Sequence, residues 1–362
     1  MANRRMAGQK VVLVLGAGAT IADCLRKSDI QKPPLDKGFF KAALRSSQGA
    51  ILAPVVEYMQ AYYRTDVTDT RQDSLERVMA VLYTDVHGGP LEDEAYGGFL
   101  ALVKAFLARL AETTNPVRMT QMTRLYRLIA YFLDSGVHPN DLTIVTFNQD
   151  IQIEKALDAI RRTKGRRGAV LFRFPGCYRM EIKGTVTRPR DSADIFVLNH
   201  SHEGVSLLKL HGSLNWYSRH NSRDPRRTAL FNDDRVIGMT RRKEINPAMT
   251  VDVGGRARFT FPVVVPPVVH KSQVLHSNLK PVWDLAEQSL TVADRIVIFG
   301  YSCPPNDWES ANLISRALTA NGIIKELSII DPDAAVVLRY AELGSLRSAN
   351  YFRYCDNYLT SE

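Results

Sequence analysis

Val-Val-Leu-Val-Leu-Gly-Ala-Gly-Ala-Thr, residues 11–20, decides the fold class. Five consecutive apolar residues predict a strand buried on both faces, which is what a parallel sheet asks of its strands. Gly16 and Gly18 follow at once and allow a tight turn with close backbone approach to a phosphate. The usual dinucleotide fingerprint needs a third small residue at position 21, which here is Ile21. An acidic residue about 20 positions on should close a second strand, yet Asp36 follows Pro33 and Pro34 in a loop. The turn therefore suits a nucleotide but fits a hydride-transfer dehydrogenase poorly. An ordinary glycine turn stays open as the alternative.

Four more strand ends keep this one company. Leu-Leu-Lys-Leu-His-Gly-Ser-Leu-Asn-Trp, residues 207–216, runs an apolar strand into His211 beside a tight turn. Strand ends in α/β proteins open onto the ligand crevice, so a histidine there is a candidate reactive group; a structural hydrogen-bonder is its commoner use. Leu-Thr-Ile-Val-Thr-Phe-Asn-Gln-Asp, residues 142–150, ends on Asn148 and Asp150, with a helix expected from near Ile151. Asp150 at that place is also a natural helix cap. Residues 295–302 give another apolar strand and a Gly300-Tyr301-Ser302 turn, and 327–333 ends a strand on Asp331, where acidic groups often hold ribose hydroxyls.

Taken in order, these residues resemble the sirtuin family. Sirtuins show Gly-Ala-Gly-x-Ser, then Thr-Gln-Asn-x-Asp, then His-Gly, then Gly-Thr-Ser. This chain has Gly16-Ala17-Gly18-Ala19-Thr20, Thr146-Phe147-Asn148-Gln149-Asp150, His211-Gly212 and Gly300-Tyr301-Ser302. It is more similar still to the sirtuin-like domains of bacterial anti-phage defence systems, through Lys209–Trp216, Gly300–Asp307, Val265-Pro266-Pro267 and Leu279–Trp283. The resemblance spans about residues 10–340. It implies an α/β fold with a Rossmann-like parallel sheet of the sirtuin NAD-binding type. It also implies site roles: Gly16, Ala17, Gly18 and Thr20 on the pyrophosphate, Asp150 on the nicotinamide carboxamide, and Gly300, Ser302 and Asp331 on the adenosine half. Asp36 joins the expected cofactor-binding set, and Asn148 and His211 are the expected catalytic pair.

One departure matters. Protein-deacylating sirtuins carry a zinc module of two Cys-x-x-Cys pairs, whereas the four cysteines here, Cys24, Cys177, Cys303 and Cys355, are scattered. Tetrahedral zinc needs clustered soft ligands, so no zinc module and no metal are expected. NAD chemistry without deacylation is the implied reading.

Composition places limits around it. The 362 residues, 45% hydrophobic, are enough for a large core, and scattered cysteines suit a reducing cytoplasmic setting. Arg4, Arg5 and Lys10 before an apolar run mimic an export signal, but Asp23 beside Cys24 occupies a position that needs a small residue. No later apolar run reaches the ~20 residues that a membrane span requires. The net charge of +9 collects in clusters such as 161–167 and Arg241-Arg242-Lys243. Solvated loops are the ordinary reading of such clusters; a docking face for an acidic partner is the other. No motif supports sequence-specific nucleic-acid binding.

The chain reads as one domain over 1–362, with a helical cap inserted at 40–135 and a small β-rich lobe formed by 165–205 and 219–260. Apolar spacing predicts helices over 96–113, 118–134 and Asp73–Tyr83. Residues 350–354 predict a closing edge strand. The expected activity is hydrolysis of the nicotinamide–ribose bond of NAD, as an effector that depletes NAD on infection. The rival readings are a sensing module for NAD or ADP-ribose and an ADP-ribosyltransferase. The resemblance further implies a homo-oligomer with a partner such as a hexameric DNA-translocating ATPase.

Overall fold

Val11–Leu15 (β1) is buried at every position and lies inside a parallel sheet, as its unbroken apolar run predicts. In the computed structural model the described residues are 6–24, 33, 36–69, 74–86, 92–165, 171, 176–180, 184–186, 203–218, 237–240, 250–252, 257–259, 262–265, 279–304, 307–344 and 349–361. Along the first part of the chain follow Ala17–Ala22 (α1), Phe39–Leu44 (α2), Gly49–Tyr63 (α3), Leu75–Val86 (α4), Glu92–Thr114 (α5), Arg124–Asp134 (α6), Leu142–Thr146 (β2) and Gln152–Lys164 (α7). Short strands come next: Gly184–Val186 (β3), Ser206–Lys209 (β4), Gly212–Ser218 (β5), Ile237–Thr240 (β6), Thr250–Asp252 (β7), Ala257–Phe259 (β8) and Pro262–Val264 (β9). The chain then runs through Lys280–Thr291 (α8), Arg295–Phe299 (β10), Trp308–Ala320 (α9), Glu326–Ile330 (β11), Ala335–Gly344 (α10), Asn350–Phe352 (β12) and Cys355–Ser361 (α11).

Six strands form one sheet in the order β12-β11-β10-β1-β2-β4, and every pairing in it is parallel. Numbered within the sheet alone, that order is the 3-2-1-4-5-6 of a doubly wound nucleotide-binding fold. Val11 stands between Arg295 of β10 and Leu142 of β2, so the strand order reverses at β1. In open α/β sheets the crevice at such a reversal, beyond the carboxyl ends of the strands, is where ligands bind. The expected Rossmann-like architecture is the one observed, and residues 350–352 close the sheet as an edge strand.

The helical insertion has its own core. Phe39, Phe40, Leu52, Val55, Val78, Met79, Leu82, Phe99 and Leu102 pack together, and Ile151, Leu214 and Val264 join them. Those last three neighbour Asp150, His211 and the end of β9, so the insertion packs beside the crevice. Its extent differs from the expected 40–135. Helix α6 belongs to the sheet, because Leu125, Leu128, Ile129 and Phe132 are buried in the sheet's core. It is the crossover helix between β1 and β2; apolar periodicity identifies a helix but not the layer it covers. The helix expected from Asp73 runs over Leu75–Val86, and Asp73 lies outside the described residues.

The β-rich lobe is built from a four-stranded sheet, β3-β6-β5-β9, and a β7-β8 ladder. β5 begins directly after His211 and pairs antiparallel with β9, so the lobe also uses strands outside the two expected segments. Arg166-Arg167, Arg241-Arg242-Lys243, Pro34 and Pro266-Pro267 lie outside the described residues. The described part of the first basic cluster is locally satisfied: Arg161 and Arg162 meet Asp158, and Lys164 meets Asp134. Cations at the carboxyl end of α7 also oppose its helix dipole.

Candidate active site

Two glycine turns meet at the reversal point. Gly16 donates its N–H to the Phe299 carbonyl at 3.1 Å, and Gly18 donates to the Gly300 carbonyl at 2.9 Å. A Cβ on Gly16 would fall 2.4 Å from the Gly300 oxygen and 2.5 Å from the Tyr301 Cα. Gly300 has φ +63°, and a Cβ there would lie 2.2 Å from the Ala19 nitrogen. The glycines were expected to let a phosphate approach. Their first task is different: they let the β1 and β10 turns touch, and two of the turn's N–H groups are spent doing so. Ala17 is the exposed residue of this turn.

Across that contact lies a chain of buried polar groups. The Thr146 hydroxyl donates to the Leu15 carbonyl (3.0 Å) and accepts the Asn148 N–H (3.0 Å), which fixes the backbone past the end of β2. The Asn148 amide nitrogen donates to the Gly16 carbonyl at 2.8 Å and the Thr20 hydroxyl at 3.2 Å. Thr20 in turn donates to Oδ2 of Asp150 at 2.8 Å. A carbonyl can only accept, so the side of the amide facing Gly16 must be nitrogen. The amide oxygen of Asn148 accepts from none of the described residues. Asp150 also caps a helix: its Oδ1 accepts the Gln152 N–H at 2.8 Å at the start of α7. One carboxylate thus ties the start of α7 to Thr20.

His211 sits in the turn between β4 and β5, just before Gly212 at φ +75°. Its ring stands edge-on to Phe147 with centroids 5.3 Å apart and 6.2 Å from the ring of Trp283. Phe147 is stacked on Tyr301 at 3.9 Å, so an aromatic wall runs from the end of β10 past β2 to the histidine. Trp283 pins the turn by donating its indole N–H to the Leu210 carbonyl at 2.9 Å. Tyr301 donates to Asp307 at 2.9 Å, and burial, with Asp307 next, holds its phenol well above the usual tyrosine range.

The expected site residues are therefore partly gathered. Gly16, Gly18, Thr20, Asn148, Asp150 and Gly300 are joined by direct contacts, and His211 is joined to them through Phe147. Ser302 stands further along the same crevice edge, its carbonyl bonded by Arg339 at 2.7 Å. Asp331 ends β11; its Oδ1 accepts the Asp333 N–H at 2.9 Å, and burial raises its carboxyl above the usual aspartate range. Asp36 has another occupation. Its Oδ1 accepts from the Ser74 hydroxyl and the Glu76 N–H, both at 2.8 Å, which caps α4 within the insertion. Proline neighbours and sequence distance do not reveal that bond.

Several buried residues outside the expected set support the site from below. Lys209 is fully buried at the end of β4, with its ammonium on the Asp150 carbonyl and 2.9 Å from Glu154. Glu154 accepts from Tyr178 (3.0 Å), Tyr178 accepts from Asn215 (2.9 Å), and Asn215 accepts from Ser213 (2.6 Å). The polar residues of Lys-Leu-His-Gly-Ser-Leu-Asn-Trp that flank the histidine thus form one network beneath the crevice. A lysine within the apolar run Leu207-Leu208-Lys209-Leu210 was the visible signal, because a buried charge needs a partner. Gln149 adds a bond from its amide to the Val265 carbonyl, tying the site to the lobe.

No protein-family profile and no curated protein matches this sequence. Among solved structures, the chain is similar to a Sir2 homologue in complex with NAD, at 13% identity and TM-score 0.45, over 99% of this chain and 90% of that one. It is also similar to a mutant Sir2 homologue in complex with 2′-O-acetyl ADP-ribose, at 13% identity and TM-score 0.48, over 99% and 92%. Both scores are below 0.5, so the fold stands on the strand order and glycine turns of this chain itself. All four cysteines are buried and in the thiol form, and no group of His, Cys, Asp or Glu among the described residues is placed to hold a metal. No helix among them is long and apolar enough to cross a membrane.

Proposed function

We propose that this chain cleaves the nicotinamide–ribose bond of NAD, releasing nicotinamide and ADP-ribose. The observation that carries the reading is the Asn148 amide: clamped by Gly16 and Thr20 at the strand reversal, with its oxygen left over, and one residue from the aromatic wall that ends on His211. Breaking this bond creates an oxocarbenium-like ribose, as glycoside cleavage does. The leaving nicotinamide is already cationic and needs no acid. What the protein supplies is orientation, exclusion of bulk water and a base. Asn148 is suited to align a ribose hydroxyl or the attacking water through its oxygen. His211 is suited to accept a proton, since imidazole is the side chain that ordinarily changes charge near neutrality. The Phe147–Tyr301 stack excludes water from the side facing the histidine. Ala17, Gly18 and Thr20 line the pyrophosphate end, Asp150 the carboxamide end, and Ser302 and Asp331 the adenosine end.

Product analysis on the purified chain tests this. Nicotinamide and free ADP-ribose in equal amounts support it. An ADP-ribosylated adduct points to transfer, and NAD binding without turnover points to a sensing module; either overturns it. We further propose, from the sequence resemblance, that the activity serves anti-phage defence, depleting NAD when a partner subunit switches it on.

A further inference from the structure

A fully buried lysine calls for a reason. Lys209 has no exposed side-chain surface and Glu154 keeps 7%. Removing two such charges from water is costly, and an apolar pair of similar volume would serve stability as well or better. The pair is also asymmetric. Oε1 of Glu154 accepts from both Lys209 and Tyr178, while Oε2 accepts from none of the described residues. The lysine also has a second partner, the main-chain carbonyl of Asp150. That peptide carries the residue whose carboxylate caps α7 through one oxygen and holds Thr20, and through it Asn148, with the other. We infer that Lys209, held by Glu154 and Tyr178, is a positioning residue that sets Asp150, Thr20 and Asn148 for the reaction at the crevice. The inference rests on the glycohydrolase reading and assigns that site its support. Lysine suits the task because its compact ammonium reaches a carbonyl and a carboxylate at once.

The test is a set of variants. Lys209→Met alone strands the Glu154 carboxylate in the core and should fold poorly. The double variant Lys209→Met with Glu154→Gln removes both charges at similar volume and keeps an acceptor for Tyr178, so it should melt close to the parent. We expect the double variant to bind ADP-ribose within about threefold of the parent while nicotinamide release falls by about 10- to 100-fold, the scale of a misplaced catalytic group. In an Asp150→Ala background the same pair of changes should add little, because the two act through one chain of contacts. Unchanged turnover in a folded double variant overturns the inference. So does a parallel loss of ADP-ribose affinity and melting temperature, which would mark a merely structural role. If the parent chain releases no nicotinamide, the glycohydrolase reading fails instead. The ratio of NAD to ADP-ribose affinity then decides, a drop of about tenfold supporting the role of Lys209 and an unchanged ratio ending it.

Discussion

Gly300 and Gly8 both have left-handed backbones, at φ +63° and +78°, yet only one of them is crowded. A Cβ at Gly8 meets nothing within 4 Å, whereas at Gly300 it would overlap the Ala19 nitrogen at 2.2 Å. Gly8→Ala should therefore cost only the conformational term, about 1 kcal/mol. Gly300→Ala should cost about 3 kcal/mol or more, because the two turns must part. Paired urea titrations check this, and equal losses would show that the contact does not matter. The proposed catalytic pair makes a second prediction. Asn148→Ala and His211→Ala should each reduce nicotinamide release by about 10²–10⁴-fold. His211→Ala gives up buried ring contacts with Phe147 and Trp283 and should lower melting while leaving a folded protein; Asn148→Ala gives up a bond to Gly16 and should cost about 1 kcal/mol. Turnover within twofold of the parent in either folded variant would remove that residue from the mechanism.

The starts of β1, β10 and β11 are fastened by Asp294, which accepts the Lys10 N–H at 2.9 Å and meets the Lys325 ammonium at 2.8 Å. Lys325 first, and then the Lys10 N–H, hold its carboxyl below the ordinary value of 3.8. A carboxylate favoured in the folded state contributes stability above its unfolded pKa, and that contribution is lost as pH falls through the folded value. Asp294→Asn should thus destabilise the chain at neutral pH and flatten the acid limb of stability below about pH 4. Melting curves for both proteins between neutral and acid pH measure it, and parallel limbs would count against the linkage. The sheet strands themselves were legible, since Val11–Leu15 and Arg295–Phe299 are apolar runs with glycine after them. So was the Asn148 strand end. What periodicity could not show was which layer α6 covers, or that Asp36 caps α4. Nor could it show the Lys209, Glu154 and Tyr178 network, whose members lie far apart in sequence and meet only once β4 stands beside β2. Lys155 is similar: its ammonium holds the Thr114 and Asn115 carbonyls, at 3.1 and 2.9 Å, and ties the end of α5 to α7.

At the scale of the whole molecule, two predictions concern what the chain binds. With every thiol buried and Cys303 and Cys355 pushed up to about 12 by burial, elemental analysis should find no stoichiometric zinc, and chelators should leave melting and NAD turnover unchanged. One zinc per chain would contradict this. Light scattering at micromolar concentration should find a homo-oligomer. The short edge strand β12, with Tyr351 exposed on it and Tyr354 exposed just after it, is one surface on which copies can pair. A single monomeric species with full turnover and no partner would end that expectation. The sheet order carries a further consequence, for synthesis. β1 leaves the ribosome well before one of its neighbours, β10, with which it pairs through Val11 and Arg295. A growing chain can lay β2 against one side of β1 while the other side waits, its amides open and Gly16 facing no Gly300. Chains cut short before β10 therefore hold half a sheet and no crevice. They should have no NAD-cleaving activity and an exposed edge that invites aggregation. On the proposed reading, the surface that would cleave NAD is assembled only once β10 has joined β1.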